Sequence, residues 1–145
     1  MNLKQAYNHA FKNGPDEKTR NIVCKDPYYA YMYALNVDRS SREDTREAAC
    51  QDPRHAYLYA LNIDKEARED TRKAASKDLE SAYFYAEYID QCPIEDTRKI
   101  MCQNPFYACL YAKNIDKNPR EDTREAVCKN PKYAYLYARD VDNGP

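Results

Sequence analysis

Six cysteines, two histidines and twenty-four carboxylates are the residues with which this 145-residue chain would do metal, redox or acid–base chemistry. Zinc sites gather Cys and His at short fixed spacings, and disulfides need Cα atoms within about 7 Å. Neither pattern fits. No C-x-x-C occurs, and His9 and His55 do not stand at ligand spacing from a cysteine. Cys24, Cys50, Cys102 and Cys128 instead share one register of a repeat, with Ser76 in the third place, which asks for a small, nearly buried side chain. Packed helices stand about 8–10 Å apart, too far for neighbours in this series to be bridged. The thiols are therefore read as reduced, and no metal or cofactor is assigned. A glycine-rich phosphate loop, G-x-S-x-G and H-E-x-x-H are missing. The carboxylates recur as parts of the repeat. The chain reads as non-enzymatic.

The chemistry that remains is recognition by tyrosine and arginine. Tyr33, Tyr59, Tyr85, Tyr111 and Tyr137 recur at one register of the repeat, each between two alanines, as in Ala30 and Ala34. Alanines four apart let a second helix approach closely, and the tyrosine fills the space between them while its hydroxyl reaches a polar edge. With Val37 and its equivalents they form a core face, which Met32, Leu58, Phe84, Leu110 and Leu136 extend. A second series, Tyr31, Tyr57, Tyr83 and Tyr135 with Cys109 in the fourth copy, lies about 200° around the same helix. Two readings stand: packing between repeats, or an aromatic strip offered to a partner at low entropic cost. The variable positions Tyr28, Arg54, Glu80, Phe106 and Lys132 are expected at the surface, where they would tune specificity. Arg20, Arg46, Arg72, Arg98 and Arg124 recur in every copy, as do Asp38, Asp64, Asp90, Asp116 and Asp142. They read either as a ladder that fixes repeat geometry, with exposed pairs adding about 0.2–1 kcal/mol each, or as a row of arginines for a phosphate or an acidic partner.

These residues need elements to hold them. Glu-x-Thr-Arg recurs at Glu17, Glu43, Glu69, Glu95 and Glu121 without an insertion, which defines a 26-residue unit present five times. Each unit holds two helices. Helix B follows an Asp or Asn cap (Asp26, Asp52, Asp78, Asn104, Asn130) and begins with proline in four copies, where the missing N–H costs nothing. It is expected over about residues 27–37 of the first copy. Helix A is expected to begin at Pro15, Ser41, Ala67, Pro93 and Pro119, to run roughly 11 residues, and to be capped unevenly. It buries a narrow stripe of small residues such as Thr45, Ala48 and Ala49. Helices this short are marginal alone and must stack on neighbouring copies. Residues 1–14 align with helix B, AYNHAFKNGP against AYMYALNVDR, and form an orphan half-repeat. Asn143-Gly144-Pro145 matches Asn13-Gly14-Pro15, so Pro145 is expected where a sixth helix A would start, either at the end of the gene or inside a longer array. The whole is a single domain, an all-α, right-handed α-solenoid of five two-helix repeats.

Composition bounds the function. Leu, Ile, Val and Phe number only 20, but the net charge of −1 and the 15 tyrosines argue against disorder. No apolar run is long enough to span a membrane, and MNLKQAYNHAFKNGP lacks the apolar core of a secretory signal, so the cytoplasm is the expected compartment. A single-strand nucleic-acid binder would stack bases on tyrosines along a basic track. Counted from Glu17, the second and third copies carry −2 and −3, which disfavours such a track.

The unit D/N-P-x-x-A-Y-x-Y-A-x-x-(I/V)-D, carried by Asp26-Pro27 through Val37, Asp52-Pro53 through Ile63 and the later copies, resembles tyrosine-rich α-helical tandem repeats of phage and large-virus proteins. The resemblance covers nearly the whole chain, though the aromatic–proline linker of many such repeats is missing and the chain has no tryptophan. It implies a helical-repeat fold, a viral or phage origin and a role in binding a host or virion protein. The expectation is a non-enzymatic scaffold for a protein partner, with Tyr31, Tyr57, Tyr83, Tyr135, Tyr28, Arg54, Phe106 and Lys132 as partner-facing residues. The rivals are single-strand nucleic-acid binding and end-to-end self-association through an open terminal face.

Overall fold

Each helix B starts where its local chemistry says it should. In the computed structural model, which describes residues 1–143, the Asp26, Asp52, Asn104 and Asn130 side chains accept backbone N–H bonds from the first turn, with proline at the first helical position. Gly144 and Pro145, and with them the expected start of a sixth helix A, lie outside the described residues. The helices are α1 (Leu3–Asn13), α2 (Glu17–Val23), α3 (Pro27–Tyr33), α4 (Glu43–Ala49), α5 (Pro53–Tyr59), α6 (Glu69–Ala75), α7 (Leu79–Tyr85), α8 (Glu95–Met101), α9 (Pro105–Tyr111), α10 (Glu121–Val127) and α11 (Pro131–Tyr137). Even-numbered helices are the A helices, and odd-numbered ones from α3 onward are the B helices. Among the described residues the regular secondary structure is all helical, without a strand, and its 26-residue helix pair recurs throughout.

Helix B does not run straight to its aspartate. After Tyr33 the backbone widens into a π-helical turn, Ala34–Asp38, and the same turn follows Tyr59, Tyr85, Tyr111 and Tyr137. The Lys65, Gln91 and Lys117 N–H groups reach back to the carbonyls of Ala60, Ala86 and Ala112 at 2.8–2.9 Å. Arg39, Lys65, Gln91 and Lys117 then stop the helix in the left-handed region at φ 52–55°. Side chains with a Cβ pay a steric cost there, of order 1–3 kcal/mol, which the packing around the turn must offset.

Helix A departs from the sequence expectation. It begins two residues later than expected, at Glu17, Glu43, Glu69, Glu95 and Glu121, and has seven residues rather than 11. Its N-cap residues Arg42, Arg68, Ile94 and Arg120 make no side-chain cap bond. The cap comes from elsewhere. The Tyr59 hydroxyl accepts the Arg42 N–H at 3.0 Å and donates to the Arg42 carbonyl at 3.0 Å, with the Thr45 hydroxyl 2.8 Å away. Tyr111 does the same for Ile94, and Tyr137 for Arg120 beside Thr123. In the first copy Tyr33 holds the Asp16 backbone beside Thr19, and Asp16 adds its own side chain to the cap. These tyrosines and threonines are buried. A local reading of caps misses the start because the capping atom belongs to the helix B that follows. The C-terminal end of helix A tightens through i→i+3 bonds, Gln51 to Ala48 and Asp52 to Ala49, and so delivers the cap of helix B at once.

The chain divides into two compact units, Met1–Asp78 and a second beginning at Leu79. The boundary falls within the third copy. In the first unit α3 packs on α1, α2, α4 and α5, and α5 packs on α4 and α6. Its core joins Val23 and Tyr33 to Ala6 and Ala10 of the N-terminal half-repeat, then Tyr31, Ala34, Ala49 and Tyr59. In the second unit α9 packs on α7, α8, α10 and α11, around Tyr83, Met101, Tyr111 and Ile115 and then Cys109, Val127 and Tyr137. Both are stacks of helix pairs in an α-helical repeat.

Removing one hydroxyl tests the cap. Tyr59→Phe leaves the Arg42 N–H without its partner and the Thr45 hydroxyl with only its bond to the Arg42 carbonyl, and lowers stability by about 1–3 kcal/mol in urea denaturation. Tyr28→Phe, at an exposed ring, leaves it unchanged.

Candidate functional site

Four of the recurring arginines are each engaged by the aspartate that closes their own copy. Arg20 pairs with Asp38 at 2.5 Å, Arg46 with Asp64 at 2.8 Å, Arg98 with Asp116 at 3.2 Å and Arg124 with Asp142 at 2.6 Å. Arg98 also reaches Asp122 of the following helix A at 3.1 Å. The π-helical turn at the end of helix B carries each aspartate back to the arginine of its own helix A. The Asp38, Asp64 and Asp116 side chains are at most 3 % exposed, and those of Arg20, Arg46 and Arg98 at most 13 %. These three pairs are therefore buried rather than exposed as expected. Two of these guanidinium groups lie over the buried tyrosines, Arg20 5.4 Å from the Tyr33 ring centre and Arg46 5.7 Å from that of Tyr59. The hydrogen bonds and charge of Asp64 raise the pKa of Arg46 further, while burial pushes the Asp116 carboxyl upward. Such pairs leave no row of free guanidinium groups for phosphate at Arg20, Arg46 and Arg98.

The second tyrosine series meets different fates. Tyr31 and Tyr83 are buried, 8 % and 5 % exposed, and do not face a partner as the strip reading required. That face of helix B lies against the next helix B, α3 on α5 and α7 on α9. The Tyr31 hydroxyl accepts a bond from Asn62 Nδ2 at 2.9 Å, Tyr83 from Asn114 at 2.8 Å, and Tyr7 of the half-repeat from Asn36 at 3.0 Å. Burial pushes the Tyr83 hydroxyl up to about 12. Tyr57 is half-buried, and Tyr135 is 64 % exposed with the Arg139 guanidinium 5.9 Å from its ring centre.

The variable series does lie at the surface. Tyr28 is 48 % and Phe106 42 % exposed, and Arg54, Glu80 and Lys132 are exposed too. All sit in the first turn of a helix B. Behind them stands a series that the sequence reading passed over: Tyr29, His55, Tyr107 and Tyr133. Tyr28 packs edge-on against Tyr29 at 5.2 Å and His55 at 5.9 Å, and Phe106 against Tyr107 at 5.1 Å and Tyr133 at 5.8 Å. His55 is fixed by its Nδ1, 2.7 Å from the Asp52 cap carboxylate. Tyr28 and Phe106 are thus exposed aromatic rings held by neighbouring rings. Their signal in the sequence is a paired aromatic at the start of helix B, as in Tyr28-Tyr29 and Phe106-Tyr107.

Cys24, Cys50 and Cys102 are half-buried, and burial pushes their thiols up to about 11, which keeps them protonated and poor nucleophiles at neutral pH. Cys109 is buried, and Cys92 and Cys128 are exposed. Among the described residues no group of three or more His, Cys, Asp or Glu is placed to hold a metal, and no helix is long and apolar enough to cross a membrane. No protein-family model, no curated protein and no solved structure matches this chain.

The arginine pairs give a graded expectation. Arg46→Ala leaves the buried Asp64 charge without its partner and costs about 3 kcal/mol in chemical denaturation. Arg124→Ala, in the half-exposed pair, costs far less. Equal losses at the two sites would contradict the burial argument.

Proposed function

We propose that the chain is a non-enzymatic helical-repeat module that binds another protein through the exposed first turns of its B helices. The observation that carries this is the combination of variable residues with a fixed frame. Tyr28 and Arg54 in the first unit, and Glu80, Phe106 and Lys132 in the second, are exposed and change from copy to copy, while the core alanines and tyrosine of the same helices repeat. Ordered aromatic rings are good anchors, because they bury large area while losing little conformational freedom. The proposed contact residues are Tyr28 and Arg54 on the first unit and Phe106 and Lys132 on the second, with Tyr135 as an additional exposed ring of the second. Tyr31 and Tyr83 support it from beneath rather than touching the partner. The resemblance to phage and large-virus repeats makes a host or virion protein the proposed partner, and the cytoplasm the proposed compartment. Burial of Arg20, Arg46 and Arg98 in ion pairs weighs against the nucleic-acid alternative, which needs a cationic track.

The test is affinity capture from a cell lysate with the whole chain as bait, followed by Tyr28→Ala, Arg54→Ala, Phe106→Ala and Lys132→Ala. Loss of an aromatic anchor weakens the captured complex by about 30-fold, equivalent to about 2 kcal/mol. Capture unchanged in all four variants, or tight salt-sensitive binding of a single-stranded oligonucleotide in its place, would overturn the proposal.

A further inference from the structure

Cys109 breaks the second tyrosine series, and the break leaves a hole. Between α9 and α11 lies a cavity of about 180 Å³, with Cys109, Leu110, Tyr133 and Leu136 among its lining residues and Lys113 and Asp140 beside them. A cavity of about 150 Å³ with an apolar lining takes up a benzene ring, whereas drug-sized ligands need about 300 Å³ or more. One aromatic ring is therefore the matching load. The other copies show which ring. At this register Tyr7, Tyr31 and Tyr83 each lay a phenol against the following copy and end on an asparagine: Asn36, Asn62 and Asn114. At the fourth register the tyrosine is Cys109 and the asparagine is Asp140.

The second replacement changes the polarity of the site. Asn donates to the chain's own tyrosine hydroxyls, but ionised Asp140 only accepts. Arg139 binds Asp140 through both oxygens at 2.6 and 2.8 Å and holds its carboxyl down to about 2, and Lys113 Nζ lies 3.3 Å from the same carboxylate. An incoming group that both donates, to Asp140, and accepts, from Lys113, satisfies the pair. A hydroxyl does this, and a plain hydrocarbon ring does not.

We propose that the slot at Cys109 receives the phenol ring of a tyrosine presented by the partner protein, in place of the one this chain lacks. The proposal rests on the protein-binding reading, because the slot adjoins the proposed contact surface. Phe106 borders both, and the Lys132 ammonium lies 5.6 Å from the centre of the Tyr133 ring that lines the slot.

The test needs no identified partner. The whole chain is titrated with 4-methylphenol and, separately, with N-acetyl-tyrosinamide, and the Leu110 and Leu136 methyl signals are followed by NMR. Both ligands shift those signals with a dissociation constant on the order of 1 mM, and ring-to-methyl Overhauser contacts place the phenol in the slot. 4-Methyltoluene, which lacks the hydroxyl, binds several-fold more weakly. Cys109→Tyr with Asp140→Asn restores the tyrosine–asparagine pattern of Tyr31 and Tyr83, closes the slot and abolishes both titrations. The Overhauser contacts in the unaltered chain stand as evidence even if that double variant fails to fold. No shift in the unaltered chain, or undiminished binding by a folded double variant, overturns the slot. Binding of 4-methylphenol but not of the tyrosinamide overturns a protein source in favour of a free phenol. Concentration-dependent self-association that the double variant removes overturns a foreign partner in favour of a second copy. A working slot without any captured protein would instead count against the proposed function, so the two failures are distinguishable.

Discussion

The hydroxyl of the core tyrosine in helix B closes the N-terminus of helix A in the first, second, fourth and fifth copies. A helix this short has few internal bonds with which to offset its ordering entropy. Its first N–H groups must find partners, and inside a repeat stack there is little water to supply them. The tyrosine brings a donor and an acceptor on one atom to a backbone N–H and carbonyl, and the buried threonine completes the set. This explains why Tyr and Thr recur without exchange while their neighbours vary. It also explains why the alanines flank the tyrosine, since a larger residue would hold the two helices too far apart for the hydroxyl to reach.

Two further devices follow from that closure. In the first, second, fourth and fifth copies the π-helical turn after the tyrosine brings the terminal aspartate to the arginine of helix A, and in the first two that guanidinium lies over the face of the same tyrosine. The ring is thus held at its edge by hydrogen bonds and, in the first two copies, on its face by a cation. Buried ion pairs add little net stability on average. Their contribution here is registry, since a slip of one residue would leave Asp38, Asp64 or Asp116 buried and unpaired.

Much of this was legible in the residues. The repeat period, the Asp and Asn caps with following prolines, the alanine–tyrosine face and the Arg–Asp correspondence all express local chemistry repeated five times. The start of helix A was not legible, because its cap comes from a tyrosine on the next helix and Pro15, Pro93 and Pro119 imitate a local start. The helix stops were equally hidden. Arg39, Lys65, Gln91 and Lys117 adopt a backbone that usually signals glycine, and tertiary packing holds them there. The second tyrosine series was ambiguous in one dimension: a residue on the far side of the helix from the core face is outward on a lone helix and inward in a stack. Of the candidate contact residues, Tyr28, Arg54, Phe106 and Lys132 lie at the surface, and Tyr31 and Tyr83 do not. The empty place at Cys109 was visible as a broken series, but a cavity follows only from the packing around it.

Native-state hydrogen exchange measures the tyrosine closure most directly. The Arg42, Ile94 and Arg120 amides sit at helix N-caps where no local side chain protects them, yet each donates to a buried tyrosine hydroxyl. These three amides are expected to exchange as slowly as the core amides of the following helix B, and far more slowly than those of the linker residues before them. Exchange at the rate of an open loop would contradict the account, because the helix pair would then be closed by something other than the tyrosine.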